Sequence, residues 1–427
     1  MKITWINHAS YLLESGEVRL VCDPWLEGSA HNNGWQLLAP TQFPYESFAA
    51  VTHIWFSHEH PDHFSPPVLK RIPAQYRAKI TVLFRETRDR RVVNFCRNAG
   101  FKALELRPSM SYELGPAMRI LCGTAGSDSW LRADSGTFRL LNINDCVLAT
   151  ERDMARIARQ VPRVDVLLTQ FSYASWCGNR GDAQAHRAAA DGKLAEIARQ
   201  VRVLKPRWVV PFASFIWFSH EENRHMNEYA NHAGDAARVI EKLGVKPVVL
   251  YPGDTWNIGD THAASRAIEL YKRDAADVSK RAFAAAKPTP FPTIQEAANE
   301  FRSRLRRKNM LWTLKPLQWL RLLVPIRIYL GDCDRTVSFD MFSGVTDLGQ
   351  GAHSPDLELS GESLLFALKF DYGFDTLLIN GRFQERVPGA HRMLSRQFGV
   401  ARYNNNGRTF PGMFFSPGFL LSHLRAV

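Results

Sequence analysis

No C-x-x-C pair occurs in the 427 residues, although six cysteines are present, at Cys22, Cys96, Cys122, Cys146, Cys177 and Cys333. That scatter excludes a disulfide framework and a conventional Cys-ligated zinc or iron–sulfur site. No uninterrupted apolar run reaches the roughly 20 residues of a membrane helix. Met1-Lys2-Ile3-Thr4-Trp5 leads straight into strand-like sequence without an apolar leader or cleavage site. A reduced, cytoplasmic protein with no membrane span is therefore expected. Internal repeats and low-complexity tracts are missing too. Acidic residues are in deficit, giving a net charge of +12. The cations are spread out, with local density only around Arg85–Arg91 and Arg302–Lys308. Such scatter speaks against a nucleic-acid partner and for an anionic small substrate or a solvated surface.

What the chain has instead is histidine and carboxylate concentrated in one stretch. Residues 57–63 read Ser57-His58-Glu59-His60-Pro61-Asp62-His63, directly after the apolar run Val51-Thr52-His53-Ile54-Trp55-Phe56. A strand delivers this cluster to its end, and Pro61 prevents a ladder or helix from continuing through it. Alternate residues on an extended backbone point the same way, so His58 and His60 can grip one ion. Asp62 and His63 follow the turn and can face a second position. Neutral imidazole with carboxylate suits Zn, Fe or Mn better than Mg or Ca. An isolated loop histidine is usually just solvated; four such residues at H-x-H-x-D-H spacing make a metal site.

Strands dominate the first half of the sequence and strand–helix alternation the rest. Residues 2–24 read as a hairpin that turns at Ser15-Gly16-Glu17 and stops at Asp23-Pro24-Trp25. Residues 30–48 read as irregular. Further strands are expected at 51–57, 79–84, 138–145, 164–169, 208–212 and 247–250, with helices over 88–99, 151–161, 183–203 and 234–243. Two half-buried sheets with helices outside would satisfy both patterns. Three prolines within 288–292 mark a linker. The expected division is a metal-binding domain over 1–260, a connecting segment over 261–293 and an α+β domain over 294–427. That last domain carries no catalytic motif and serves for packing or as a substrate wall.

His58-Glu59-His60-Pro61-Asp62-His63 resembles the signature of the metallo-β-lactamase superfamily. The resemblance implies an αββα sandwich with a one- or two-metal site at the sheet edge, followed here by the smaller α+β domain. Asp145, at the tip of Leu141-Asn142-Ile143-Asn144-Asp145-Cys146, is similar to the superfamily's bridging aspartate. Within the superfamily the chain looks like the catalytic part of the CMP-N-acetylneuraminate hydroxylases. The further stretches that match are Leu204-Lys205-Pro206-Arg207, Pro211-Phe212-Ala213-Ser214-Phe215 with Ser219-His220, and Pro252-Gly253-Asp254. The ligands this implies are His58, His60, Asp62, His63, Asp145 and His220, with Asp62 and Asp145 also catalytic.

Three departures qualify the resemblance. The hydroxylases carry a Rieske domain before the metal fold, and this sequence has no C-x-H…C-x-x-H pair. The family's histidine between the motif and the bridging aspartate is replaced by Ala125, leaving Asp128 or Cys122 as substitutes, or water. The late histidine has no unambiguous match: His220 is chosen, with His225 and His232 as rivals. His8 sits where the first hairpin approaches the site, as support for a ligand or as a core histidine.

A metal-bound water drops in pKa from 15.7 toward about 7. With two redox-inert zinc ions the outcome is hydrolysis of a lactone, ester or phosphodiester. With two irons and electrons from a ferredoxin or reductase, the same ligands support hydroxylation. The leading expectation is the oxygenase-like enzyme; the alternatives are the metallohydrolase and a scaffold with an impaired site. Arg180 and Arg207 are candidates to receive a small polar or anionic substrate by bidentate bonds.

Overall fold

The computed structural model describes residues 1–412 apart from Ser127, Ala149 and Asn406. Two seven-stranded sheets face each other. The first runs, in spatial order, Thr255–Asn257, Lys2–Asn7, Ser10–Ser15, Val18–Cys22, His53–Phe56, Thr81–Arg85 and Lys102–Leu106. The second runs Lys246–Pro247, Trp208–Pro211, Val166–Thr169, Arg139–Asn142, Asp128–Asp134, Met118–Ala125 and Ser111–Gly115. In each sheet the edge built from hairpins is antiparallel, and the remaining strands pair in parallel through helical crossovers.

Burial on both faces explains why the central strands read as unbroken apolar runs, as in Val166-Leu167-Leu168-Thr169. Side chains alternate between two cores. Trp55 points between the sheets with Trp5, Leu13, Leu83, Ile120, Leu141 and Val209. Ile54 and Phe56 point outward, against Val68, Leu69 and Val93 of the covering helices. The αββα arrangement read from the motif is thus the observed one.

Sequence and structure part in three places near the site. The first hairpin is a three-stranded meander, because the chain reverses at His8-Ala9 and inserts Ser10–Ser15. His8 makes that reversal at φ 41° without glycine, so no turn signal marks it. Residues 30–48 are not wholly irregular: Ser29–Ala30 and Trp35–Leu37 pair with each other, and Ile216–Phe218 adds to them. Of the expected strand 247–250, only Pro247 lies in a strand, Lys246–Pro247, while Val248, Val249 and Leu250 are buried without a ladder.

The helix Ser265–Ala276 packs Ala267 and Tyr271 into the first core. Beyond it, Phe291–Lys308, Gly361–Lys369, Gly373–Asn380 and Ala390–Asn405 cover a five-stranded sheet and enclose a core of their own. The two units meet through buried polar contacts. Arg382, fully buried, donates to Glu222 Oε2, Glu362 Oε2 and Asn32 O, each at 2.7 Å. Asn380 donates to His31 O at 3.0 Å, and Asn223 donates to Gly34 O and Asn380 O. A Cβ on Gly34 would lie 2.5 Å from Asn380 Cβ, so only glycine permits this close approach.

Candidate metal centre

Strand ends from both sheets converge on one edge. Val18–Cys22 ends in Asp23, His53–Phe56 ends in the Ser57–His63 loop, and Arg139–Asn142 leads to Asn144 and Asp145. Ligand pockets of open sheets form at such carboxyl ends. Two groups of potential ligands result, His8–Asp62–His63 and His58–His60–Asp145, each with donor atoms within 4.8 Å of one another.

In the first group, His8 Nε2 lies 3.3 Å from Asp62 Oδ2 and His63 Nε2 lies 3.1 Å from the same oxygen. His31 Nε2 reaches Asp62 Oδ1 at 2.9 Å. In the second group, His58 Nε2 and His60 Nδ1 are 2.8 Å apart. Asp145 Oδ2 faces His58 at 3.8 Å and His63 at 3.3 Å, so one oxygen addresses both groups. Gln170 donates to Asp145 Oδ1 at 2.8 Å and turns Oδ2 toward the histidines.

A buried scaffold fixes which ring nitrogen faces inward. Asp23 accepts from Ser57 N, Ser57 Oγ and Asn144 Nδ2, each at 2.8 Å, and from His63 Nδ1 at 3.0 Å. With Nδ1 protonated toward Asp23, His63 presents the lone pair of Nε2 to the site. Because Ser57 Oγ gives its proton to Asp23, it accepts from His58 Nδ1 at 2.9 Å, freeing His58 Nε2 in the same way. Histidine ligands are commonly oriented by such partners.

For His58 and His60 the electrostatics agree with this assignment, whereas His63 is held protonated in the metal-free site and would give up its Nε2 proton to a bound cation. Burial pushes His58 well below the ordinary histidine value, with His63 and His60 adding to the shift. Burial and then His31 push His60 down to about 4. Both rings are neutral at physiological pH, with lone pairs available. Burial opposes protonation of His63 but is outweighed by the carboxylates of Asp62 and Asp145, which hold it well above the usual range. For Asp62, burial is likewise outweighed by His63 and His31, and its carboxyl stays well below the usual range.

These residues fit a pair of transition-metal ions. His63 Nε2 is buried without an aligned hydrogen bond. An orphaned buried nitrogen costs on the order of 1–3 kcal/mol, a cost that coordination removes. His63 Nε2 lies between two carboxylate oxygens yet is aligned to neither, the geometry of donors facing a shared cation.

His58, His60, Asp62, His63 and Asp145 come together as the motif suggested. His220 does not join them. After Phe212 the chain turns away at Ala213 (φ 48°), whose N–H donates to His8 O at 3.0 Å. The strand Ile216–Phe218 then carries His220 to the unit junction, where its Nδ1 lies 3.4 Å from Glu222 and accepts from Glu222 N. His8 occupies the space beside Ala213 instead. Nor do the rivals of His220 reach the site: His225 packs against His186, and His232 caps the helix Ala233–Lys242.

Ala125 and Asp128 pair across a hairpin tip, and Asp128 belongs to neither ligand group. Both line a cleft of about 220 Å³ with Thr124, Val147, Asp153 and Arg156. Arg180 donates its backbone N–H to Gln384 at the unit junction. Arg207 stacks on Trp208 at the opposite end of its strand from the ligands. The Arg207 guanidinium therefore lies away from the metal edge.

The residues the motif did not supply are His31 and Asp23, with His8 promoted from support to ligand. His31 lies in a run of three left-handed residues, His31, Asn32 and Asn33. Histidine and asparagine tolerate that conformation better than most residues, so His31-Asn32-Asn33-Gly34 was the available signal of a structured loop.

Burial and then the charge of Arg382 push His220 down to about 3. The unfolded chain protonates this group near pH 6.5, so it binds more protons than the folded one between those values. Stability should therefore fall as pH drops from about 6.5 toward 3, by up to about 1.4 kcal/mol per pH unit from this group. Denaturant titrations across that range should show a shallower slope for His220→Asn.

The αββα sandwich, with two His–carboxylate groups at one edge, is the metallo-β-lactamase fold. Residues 2–119 match the family model described as "Beta-lactamase superfamily domain". The chain is 26% identical over 245 residues to the cytidine monophosphate-N-acetylneuraminic acid hydroxylase of Mus musculus, covering 53% of this chain and 41% of that protein. It thus spans less than half the length of this relative. Among solved structures it aligns with CmlA, a diiron β-hydroxylase from Streptomyces venezuelae, at 15% identity and TM-score 0.44, over 60% of this chain and 54% of that one. It also aligns with an isothiocyanate hydrolase from Delia radicum gut bacteria at 13% identity and TM-score 0.45, over 60% and 99%.

Proposed function

We propose that the chain is a dinuclear-metal, oxygenase-like hydroxylase acting on a small polar or anionic substrate with electrons from an external ferredoxin or reductase. The carrying observation is the composition of the two groups. His8–Asp62–His63 and His58–His60–Asp145 each offer two histidines and one carboxylate, the donor set associated with non-haem iron oxygenases. Two bound irons would supply oxygen activation. The protein supplies the rest. Asp23 and Ser57 set the imidazole tautomers; His31 holds Asp62 by its second oxygen; Gln170 turns Asp145. The cleft lined by Ala125, Asp128 and Arg156 offers Arg156 as a further candidate cation for an anionic substrate.

The test is dioxygen consumption by iron-reconstituted, chemically reduced protein, compared with Asp62→Asn. Wild type should consume oxygen at least about tenfold faster than the variant, in line with the cost of losing a ligand or its support. Zinc-loaded protein that hydrolyses ester, lactone or phosphodiester probes, with no oxygen uptake by the iron form, would establish the hydrolase instead.

A further inference from the structure

The C-terminal unit carries a surface that its own packing does not explain. Along residues 310–323, Leu311, Leu314 and Leu323 are buried in the second core. The same segment leaves Trp319 84% and Trp312 69% exposed, with Met310, Leu320 and Leu322 exposed beside them. Trp312 and Trp319 are seven positions apart across a 3₁₀ turn and a short helix, so they lie on one side of it. A segment apolar on both stripes, with one stripe bare, is unusual for a water-facing surface.

Charge tells what this surface meets. From residue 301 to 331 there is no Asp or Glu, while Arg302, Arg304, Arg306, Arg307, Lys308, Lys315, Arg321 and Arg327 all fall there. Arg306, Arg307, Lys308, Lys315 and Arg321 are exposed. None of the five forms an ion pair among the described residues, whereas exposed arginines elsewhere, such as Arg90 and Arg224, do.

We propose that residues 306–322 dock the protein on an anionic lipid surface, with Trp312, Trp319, Leu320 and Leu322 entering the headgroup boundary and the flanking cations binding lipid phosphates. Indoles favour that boundary, and each basic residue near an anionic leaflet strengthens the attraction. Among the described residues no helix is long and apolar enough to cross a membrane, so the attachment is peripheral. A nucleic acid would satisfy the cations but leave Met310, Leu320 and Leu322 without partners. A second copy would bring Arg306, Arg307 and Lys308 against their own equivalents across a two-fold contact. The inference is independent of the reaction at the metal edge.

Co-sedimentation of the full chain with vesicles tests it, comparing pure phosphatidylcholine with a phosphatidylcholine–phosphatidylglycerol mixture. Partition should be at least about tenfold higher on the anionic vesicles and fall with salt. Trp312→Ser/Trp319→Ser should reduce it about tenfold, as should Arg306→Gln/Arg307→Gln/Lys308→Gln. Brominated lipid should quench emission of the wild type more than of the tryptophan variant. All five side chains are exposed, so unchanged melting and metal content should accompany these losses. Equal partition on neutral vesicles, no partition at all, or undiminished binding of the tryptophan variant would overturn the proposal. So would preferential retention on duplex DNA, or a concentration-dependent dimer that Trp312→Ser/Trp319→Ser abolishes.

Discussion

Asp145→Asn should release both metal ions, whereas His58→Ala/His60→Ala should release one. The expectation follows from a single oxygen: Asp145 Oδ2 lies toward His58 and His63 at once. Two cations held by adjacent groups would repel each other, and a carboxylate facing both groups would reduce that repulsion where a neutral amide would not. Removing His58 and His60 strips one group of both imidazoles but leaves His8, Asp62 and His63 in place. Metal analysis after dialysis should give about two ions per chain for wild type, about one for the double variant and well under one for Asp145→Asn.

Arg382→Met should be the most damaging change outside the ligand set. Its guanidinium joins Glu222, Glu362 and the Asn32 carbonyl while fully buried. Methionine fills part of the volume but leaves two half-buried carboxylates facing each other without a cation. Breaking a buried pair in this way costs about 3–5 kcal/mol; since Glu222 and Glu362 keep 22% and 24% side-chain exposure, the lower end applies. The same change removes one tie on the His31–Gly34 loop, at Asn32 O, while those from Asn380 and Asn223 remain. The loosened loop should weaken the hold of His31 on Asp62 Oδ1, and the ion at His8–Asp62–His63 should bind more weakly, by up to about tenfold. Denaturant midpoints report the first effect and metal titration the second. A variant that unfolds early but binds both ions as tightly as wild type would show that the C-terminal unit only stabilises.

What could be read from sequence was what is contiguous in it. His58, His60, Asp62 and His63 sit on one strand end and its turn, so local spacing carried their geometry. The apolar runs at 51–56 and 164–169 gave the buried parallel strands for the same reason. His8, Asp23 and His31 come from separate loops, brought in by strand order and by contacts more than 300 residues apart in sequence, such as Asn380 on His31. No local pattern encodes those contacts. His220 was misplaced because the chain leaves the site at Ala213, one residue after Phe212, and the left-handed turn there involves alanine rather than glycine. The reversal at His8-Ala9 carries no glycine turn signal for the same physical reason.

On the proposed reading, the two histidine–carboxylate groups on one sandwich edge hold two iron ions. Metal content and the visible absorption spectrum of protein purified without oxygen, and again after exposure to air, test it most directly. Two irons per chain, with ligand-to-metal bands that change on oxidation, is the predicted result. Stoichiometric zinc with a featureless spectrum, or less than one ion per chain after reconstitution, would contradict it.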